Sequence, residues 1–443
     1  MKWSIGISVL VLVVSTLYLG YIPEQSDFNQ IIASATMAFL GYGLLAFYFK
    51  PSVKMIFLVG VGIRVVLIYA FPNLSDDIYR FLWDGQLTGL GLNPYGYLPS
   101  ELNGSVVGLN ATLFEKMNSP DYYTIYPPFA QLIFYISTWF SEDIFRMSLV
   151  IKFFFLLAEI FTFLGLIKVL EALKMDVSKV SIYFLNPLII VEGMVNLHFE
   201  IIMIVFLVWS LYFIFVRQNL IKGAFLFALS ISAKLLPLMF LPYFFFKMSG
   251  KKRINFFTYG LMFLLVIFSP IIFGLDFKNF GLSIDLYFQK FEFNGGIYYL
   301  LRYLGRLLTG YNQIQIIGPL LGLIAMILIV SRAYKSRHLK LKAFINFAFF
   351  AFLCYLFLTT TVHPWYLCIP VLFSVAVKWR FAVIWSFLIF CTYINYSYDP
   401  YLENLWIVTI EYILVFGWVI YELFQYRKQS RFIENKKIIN GPD

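Results

Sequence analysis

Residues 313–331 read QIQIIGPLLGLIAMILIVS, nineteen positions without one acidic or basic side chain. A helix rises about 1.5 Å per residue, so a run of this length covers the ~30 Å hydrocarbon core of a bilayer. Comparable apolar runs recur along the 443 residues, and 61% of the chain is hydrophobic against 13% charged. Soluble domains do not have such a balance. The sequence therefore predicts an all-α polytopic membrane protein.

Twelve membrane spans are predicted, and residues 1–443 are treated as a single integral membrane domain. The spans lie near residues 4–22, 29–49, 55–72, 147–168, 180–196, 199–216, 255–274, 313–331, 343–361, 365–377, 381–397 and 404–424. The stretch from Gly223 to Phe246 begins and ends beside basic clusters on the same side. Because Pro237 and Pro242 permit a helix break, this stretch is predicted to be a broken or re-entrant hairpin.

The distribution of the net charge of +10 argues against nucleic acid as a partner. Of the 34 Lys and Arg residues, 24 fall on one side of the predicted spans and only seven on the other. Cytoplasmic loops carry the excess of basic residues, so both termini are expected in the cytoplasm. Membrane lipids are the expected surroundings of the protein.

Two stretches outside the membrane are long enough to build a site. Residues 73–125 form the one long loop, which is expected to be the extracytoplasmic catalytic loop. Residues 276–310 alternate aromatic and charged side chains, a pattern typical of a helix in the membrane interface. Tyr126 and two following prolines are predicted to open a further short helix on this outer face.

The long loop opens with two adjacent acids, Asp76 and Asp77, directly after the third span. One interpretation is a helix start, because acids stabilise a first turn and Arg80 lies four residues from both Asp76 and Asp84. The other interpretation is catalytic. A carboxylate at the lipid surface can deprotonate an acceptor hydroxyl or hold a divalent cation.

Two of the three histidines are predicted to lie at outer helix ends. His198 is followed closely by Glu200, and His363 precedes Trp365 and Tyr366. Aromatic residues at such positions are also common anchors in the membrane interface, so the pattern has a structural and a functional interpretation.

Five ionisable residues fall inside apolar stretches, where hydrocarbon penalises each charge by at least ~2.5 kcal/mol. They are Arg64, Lys152, Glu159, Glu192 and Lys234. Arg64 is expected to pair with Glu159 or Glu192. Lys234 lies at the predicted helix break, where its charge can meet a phosphate.

The order of the short motifs resembles the GT-C glycosyltransferases, and more narrowly the bacterial multispanning mannosyltransferases that use a polyprenyl-phosphate sugar. The motifs are Asp76-Asp77-Ile78-Tyr79-Arg80, Trp83-Asp84-Gly85, Asn93-Pro94-Tyr95, Tyr126-Pro127-Pro128, Asn186-Pro187-Leu188, Lys234 before Pro237, and His363-Pro364-Trp365-Tyr366. The resemblance implies inverting transfer of a hexose, expected to be mannose. The donor would be a polyprenyl-phosphate sugar, and the acceptor a glycan or lipid hydroxyl on the outer face.

The resemblance also assigns roles, with Asp77 and Asp76 as the catalytic residues. Asp77 is expected to be the base, because an Asp followed by an aliphatic residue and a Tyr recurs in prokaryotic relatives and because Asp76 is expected to pair with Arg80. The residues expected to bind substrate are Arg80, Asp84, Tyr126, His198, Glu200, Lys234, Arg302, His363, Trp365 and Tyr366.

Eukaryotic members show Asp-x-Asp where this chain has the adjacent acids Asp76 and Asp77, and adjacent side chains do not chelate in the same geometry. No metal ligand is therefore assigned, although binding of a divalent cation stays open. Two other classes of protein also stay open. A transporter or flippase of lipid-linked glycans would show intramembrane charges and broken helices too. A polysaccharide ligase or polymerase would share a site on the outer face.

Overall fold

A computed structural model describes residues 2–274, 276–336 and 338–440, with no side-chain description for Lys2, 287–289 and 429–440. The predicted single domain 1–443 thus includes four short stretches outside the described residues. The described chain is built from helices, and one isolated bridge joins Phe293 to Thr361. The helices, including short 3₁₀ and π segments, span Lys2–Tyr21, Phe28–Gly43, Leu44–Phe49, Val53–Leu67, Asp77–Gly89, Pro99–Leu102, Ala111–Lys116, Pro128–Ser137, Ile144–Ala172, Val177–Val180, Ser181–Phe184, Pro187–Ile190, Val191–Val195, Glu200–Leu211, Tyr212–Val216, Leu220–Ala233, Leu236–Phe240, Leu241–Lys247, Gly250–Ile267, Ser269–Gly274, Phe277–Gln289, Gly296–Thr309, Ile314–Lys335, Leu341–Leu358, Pro364–Leu367, Cys368–Ser374, Phe381–Leu388, Ile389–Ser397 and Leu405–Asn440.

Among the described residues, six helices are long and apolar enough to cross a membrane. They are Trp3–Tyr21, Phe28–Phe49, Ile144–Ala172, Ile314–Lys335, Leu341–Leu358 and Leu405–Lys428. A bent pair, Val177–Phe184 with Pro187–Val195, adds a seventh if it is one span. The multi-pass membrane class is therefore confirmed. The count of twelve stays a prediction, because several other apolar helices have only 10 to 17 residues.

The bent pair turns by 60° at Asn186 and Pro187. Proline has no N–H to donate into the preceding turn, so the first helix ends there. The side chain of Asn186 accepts a hydrogen bond from the N–H of Leu188 and caps the second helix. Its amide also donates to the hydroxyl of Ser386 at 3.0 Å, which ties the bend to a distant helix.

Buried charges hold the first spans together, as the sequence predicted. Arg64 lies 2.6 Å from Glu159, and both side chains are fully buried. Tyr183 donates a further hydrogen bond to Glu159 at 2.9 Å. The ammonium group of Lys152 donates to the carbonyl oxygens of Leu67 and Ala70, at the carboxyl end of helix Val53–Leu67. A cation is favourable at that end of a helix, so Lys152 has a structural role.

The stretch predicted to be broken is interrupted at Lys234. Helix Leu220–Ala233 ends there, and Lys234 adopts an extended conformation with φ −158° and ψ 137°. Pro237 and Pro242 lie in the first turns of the two helical segments that follow, where a missing N–H costs no intrahelical bond. The helix break is confirmed, whereas its depth in the membrane stays a prediction.

The two predicted outer segments, 73–125 and 276–310, fold against each other. Asn279 donates to the carbonyl of Tyr95 at 3.1 Å, and Ser283 donates to the carbonyl of Tyr123 at 2.8 Å. Helix Pro128–Ser137 begins with proline, as the sequence predicted. These contacts bring the long loop and the aromatic segment to the same end of the bundle.

Candidate functional site

A cavity of about 650 Å³ lies at that end of the bundle. Its walls come from five separate parts of the sequence, which the sequence analysis placed at the outer face or at the helix break. These parts are residues 74–80, 118–127, 234–239, 283–286 with 291–293, and 355–366, with further side chains from Gln25 and 392–396. Segments that are far apart in the chain therefore meet around a single space.

Asp77 is the first residue of helix Asp77–Gly89, and its backbone N–H donates to the hydroxyl of Ser75 at 3.4 Å. Its carboxylate accepts hydrogen bonds from Tyr126 at 2.8 Å and from Asn118 at 3.3 Å. These donors leave lone pairs of the carboxylate unused, because an ionised carboxylate accepts about four hydrogen bonds. Asp77 is thus oriented at the cavity wall and can still accept a proton.

Asp76 precedes the helix and keeps part of its surface in solvent. Partial burial raises the pKa of its carboxyl group, and the charge of Asp77 raises it further. Among the described residues no hydrogen bond to this carboxylate is found. Asp76 therefore stands beside Asp77 as a second carboxylate at the cavity.

The predicted pairing of Arg80 with Asp76 is wrong. The guanidinium of Arg80 instead binds Asp84 at 2.8 Å, one turn further along the helix. It also donates to the carbonyl oxygens of Ser119 at 3.0 Å and Tyr122 at 2.8 Å. Tertiary structure decides this pairing, because the loop that contains Ser119 and Tyr122 passes on the side of the helix that carries Asp84. Asp84 is buried and lies outside the cavity lining, so this pair anchors the loop.

Lys234 reaches the cavity from the helix break. Its ammonium group lies 3.2 Å from the buried carboxylate of Glu200 and 5.3 Å from the ring centre of Tyr126. Tyr126 thus contacts Lys234 through its ring and Asp77 through its hydroxyl. The prediction had placed these residues in one site, and the structure brings them together.

The two outer histidines flank Trp365. His198 and His363 have ring centroids 3.7 Å and 4.3 Å from the indole, and Phe293 stacks on His363 at 4.6 Å. Burial and the nearby Lys234 lower the pKa of His363 to about 3. Burial also holds the pKa of His198 well below its usual range, helped by Lys234 and His363. Both imidazoles are therefore neutral at physiological pH.

Besides Asp84, three more of the predicted substrate-binding residues lie outside the cavity lining. His198 lies behind Trp365, and Glu200 lies behind Lys234. Arg302 lies further away, where its guanidinium binds Glu292 and covers the ring of Tyr299 at 4.1 Å. Arg302 is therefore engaged locally and is not brought to the cavity.

Sequence analysis missed several residues of the cavity wall. Thr359 and Thr361 precede His363, while Tyr393 and Tyr396 come from the end of a predicted span. A signal was present in the second pair, since two tyrosines three positions apart share one face of a helical turn. Nothing in the sequence indicated that this face meets the first loop.

The described residues contain no group of three or more His, Cys, Asp or Glu side chains able to hold a metal ion. The acidic and basic residues of the cavity lining are instead Asp76, Asp77, Arg80 and Lys234. Arg80 and Lys234 are each paired with a carboxylate outside the lining, Asp84 and Glu200 respectively. The side chain of Lys234 lines the cavity and is 21% exposed.

Comparison with known protein families gives a match over residues 49–249, which are 201 of the 443 residues. The matching family is described as alpha-(1->6)-mannopyranosyltransferase, N-terminal domain. The matched segment contains the first-loop acids, Tyr126, Glu200 and Lys234. No curated protein sequence matches the chain. The resemblance to GT-C type mannosyltransferases is thereby confirmed over residues 49–249, and the protein is a membrane glycosyltransferase.

Proposed function

We propose that the protein transfers mannose from a polyprenyl-phosphate sugar to an acceptor hydroxyl, with inversion at the anomeric carbon. The observation that carries this proposal is the meeting of Asp77 and Lys234 in one cavity, with Tyr126 in contact with both. A base and a cation in one space are what transfer from a sugar phosphate needs.

Asp77 acts as the general base in this proposal. The acceptor oxygen attacks C1 of the donor sugar from the face opposite the phosphate, and its proton passes to Asp77. The bond from C1 to the phosphate oxygen breaks, and polyprenyl phosphate leaves with the electron pair. Because the matched family forms alpha linkages, a single inversion requires a donor with a beta linkage to phosphate.

Lys234 and His363 receive the phosphate. Lys234 carries the positive charge that stabilises the leaving group. The Nδ1 atom of His363 is buried and has no hydrogen-bond partner among the described residues. A neutral imidazole can donate one hydrogen bond, so His363 complements Lys234 without adding charge.

The lipid chain of the donor has an apolar wall available beside Lys234. Leu235, Leu236 and Met239 follow the helix break directly, and Ile284 and Leu286 face them from the segment 276–310. An apolar wall next to a half-buried cation suits an amphiphile whose phosphate joins a hydrocarbon chain to a sugar. A water-soluble nucleotide sugar would gain little from it.

The orientation in the membrane is part of this proposal, with both termini in the cytoplasm and about twelve crossings. Its support is that the loops predicted outside line one cavity, while predicted inner cations lie near each other, as Lys50, Lys179 and Arg380 do. Ser105 is exposed in the long loop. Ser105→Cys should react with an impermeant thiol reagent in intact cells. Labelling only after permeabilisation would show the opposite orientation.

The donor is tested with purified protein and a panel of radiolabelled polyprenyl-phosphate sugars, including mannose, glucose and arabinose. A soluble α-(1→6)-mannobiose glycoside serves as acceptor. Transfer from polyprenyl-phosphate mannose, absent with GDP-mannose alone, is the expected result. Transfer from the nucleotide sugar without the lipid donor would overturn the proposed donor class.

A further inference from the structure

A second hollow, of about 370 Å³, lies on the other side of Asp76. It is lined by Glu24, Gln25, Ser26, Phe71, Pro72, Asn73, Asp76, Tyr79 and Tyr396. Three of these residues, Gln25, Asp76 and Tyr396, also line the main cavity. They therefore form a partition between two spaces, with the first-loop acids at its edge.

The hollow is lined by groups that suit a carbohydrate. Among the described residues, the side chains of Gln25, Ser26 and Asn73 make no hydrogen bond within the protein. Their amide and hydroxyl groups can both donate and accept, as the hydroxyl groups of a sugar do. The rings of Phe71 and Tyr79, with centroids 6.4 Å apart, add apolar surface for the C–H faces of a pyranose.

The charges and walls of the two spaces differ. The main cavity has Lys234 and a run of aliphatic side chains. The hollow contains no Lys or Arg among its lining residues, and it contains the exposed carboxylate of Glu24. A phosphate would be repelled there, whereas a neutral polyol would not. Its volume lies within the ~300–1,000 Å³ typical of small-ligand sites.

We propose that this hollow is the acceptor site, and that it takes the end of a neutral, hydrophilic oligosaccharide. The reacting hydroxyl extends past the partition formed by Gln25, Asp76 and Tyr396 to reach Asp77 and the donor sugar in the main cavity. The donor occupies the main cavity on the other side. This inference rests on the proposed function and extends it by naming the acceptor class and the residues that bind it.

The experiment uses full-length protein in detergent and the methyl glycoside of α-(1→6)-mannobiose as probe. Binding of the probe is measured without donor by isothermal titration, and transfer is then measured with both substrates varied. Ser26→Trp fills the hollow, and Asn73→Ala removes one amide. Asn29→Trp is the matched control, because Asn29 is exposed near Ser26 but lies outside the lining.

Ser26→Trp is expected to raise the acceptor KM and the probe Kd more than tenfold. Asn73→Ala should raise both by about 2- to 10-fold, the effect of one lost neutral hydrogen bond. The donor KM should stay within about twofold, and Asn29→Trp should resemble the wild type. The inference is overturned if Ser26→Trp and Asn73→Ala leave both acceptor constants unchanged, or if they raise the donor KM instead.

Failure of the proposed function gives a different pattern. Suppose that the wild type binds the probe, that Ser26→Trp does not, and that no lipid donor supports transfer. This result would support the saccharide site and reject the proposed transferase chemistry. Transfer with unaltered acceptor constants in both hollow variants would keep the chemistry and reject the site. Neither binding nor transfer by the wild type would reject both.

Discussion

Replacement of Asp77 by Asn tests the proposed base while changing the shape of the side chain very little. Removal of a general base lowers the rate about 100- to 10,000-fold, which corresponds to roughly 3–5 kcal/mol of transition-state stabilisation. Asp77→Asn should therefore lower kcat by this amount, with the donor KM nearly unchanged.

The structure predicts a much smaller effect of the same change on folding. The oxygen of the Asn amide can still accept the hydrogen bond from Tyr126. The contact with Asn118 is lost, because two amide groups would then face each other as donors. One lost hydrogen bond at a partly exposed position costs about 1 kcal/mol, so the melting temperature should fall only slightly.

Radiolabelled transfer under single-turnover conditions, with a parallel melting curve, separates these two effects. Asp76→Asn is the matched control, since it also removes one carboxylate from the same turn but is expected to lower kcat less than about tenfold. An inactive Asp76→Asn beside an active Asp77→Asn would assign the base to Asp76, whose raised pKa also suits a proton acceptor. Activity in both variants would show that the two acids only stabilise the start of helix Asp77–Gly89.

Three further predictions test the surrounding structure. Lys234→Gln should raise the donor KM about 10- to 150-fold, because a charge-assisted hydrogen bond to the phosphate is lost. Adding Glu200→Gln to this variant should restore stability but not donor affinity, and the control Arg302→Ala should leave the donor KM unchanged. Equal donor KM values in Lys234→Gln and Arg302→Ala would contradict the site. The folded-state pKa of His363 near 3, below its ordinary 6.5, means that its contribution to stability is present above about pH 6.5 and is lost as the pH falls toward 3. His363→Gln should therefore flatten the decline of melting temperature between pH 7 and 5, and an unchanged slope would argue against a buried neutral imidazole. Arg64→Leu leaves a buried carboxylate unpaired and should destabilise the protein by about 3–5 kcal/mol, measured by thermal unfolding in detergent, and a loss below 1 kcal/mol would refute the structural pairing.

The parts of the fold that sequence could predict are those fixed by local chemistry. Apolar length predicted the long helices, and proline predicted the helix break before Pro237 and the start of helix Pro128–Ser137. The cost of an unpaired charge in hydrocarbon predicted a partner for Arg64. Each of these features depends on a few neighbouring residues or on one general penalty.

The site was harder because its details depend on where loops pass. Arg80 had two acids at equal sequence distance, and the path of residues 119–122 decided in favour of Asp84. Arg302 suited a phosphate equally well in the sequence, but Glu292 lies close enough to engage it. Tyr396 lay in an apolar run and gave no sign that it would face two spaces.

The partition formed by Gln25, Asp76 and Tyr396 has a consequence for the order of binding. If each substrate enters by its own opening, neither has to leave before the other arrives. Initial-rate plots at several fixed acceptor concentrations should then intersect, as in a ternary-complex mechanism, and the lines should not be parallel. Spent polyprenyl phosphate should compete with the donor and not with the saccharide. An extended glycan could consequently stay bound through several additions while lipid donors are exchanged beside it.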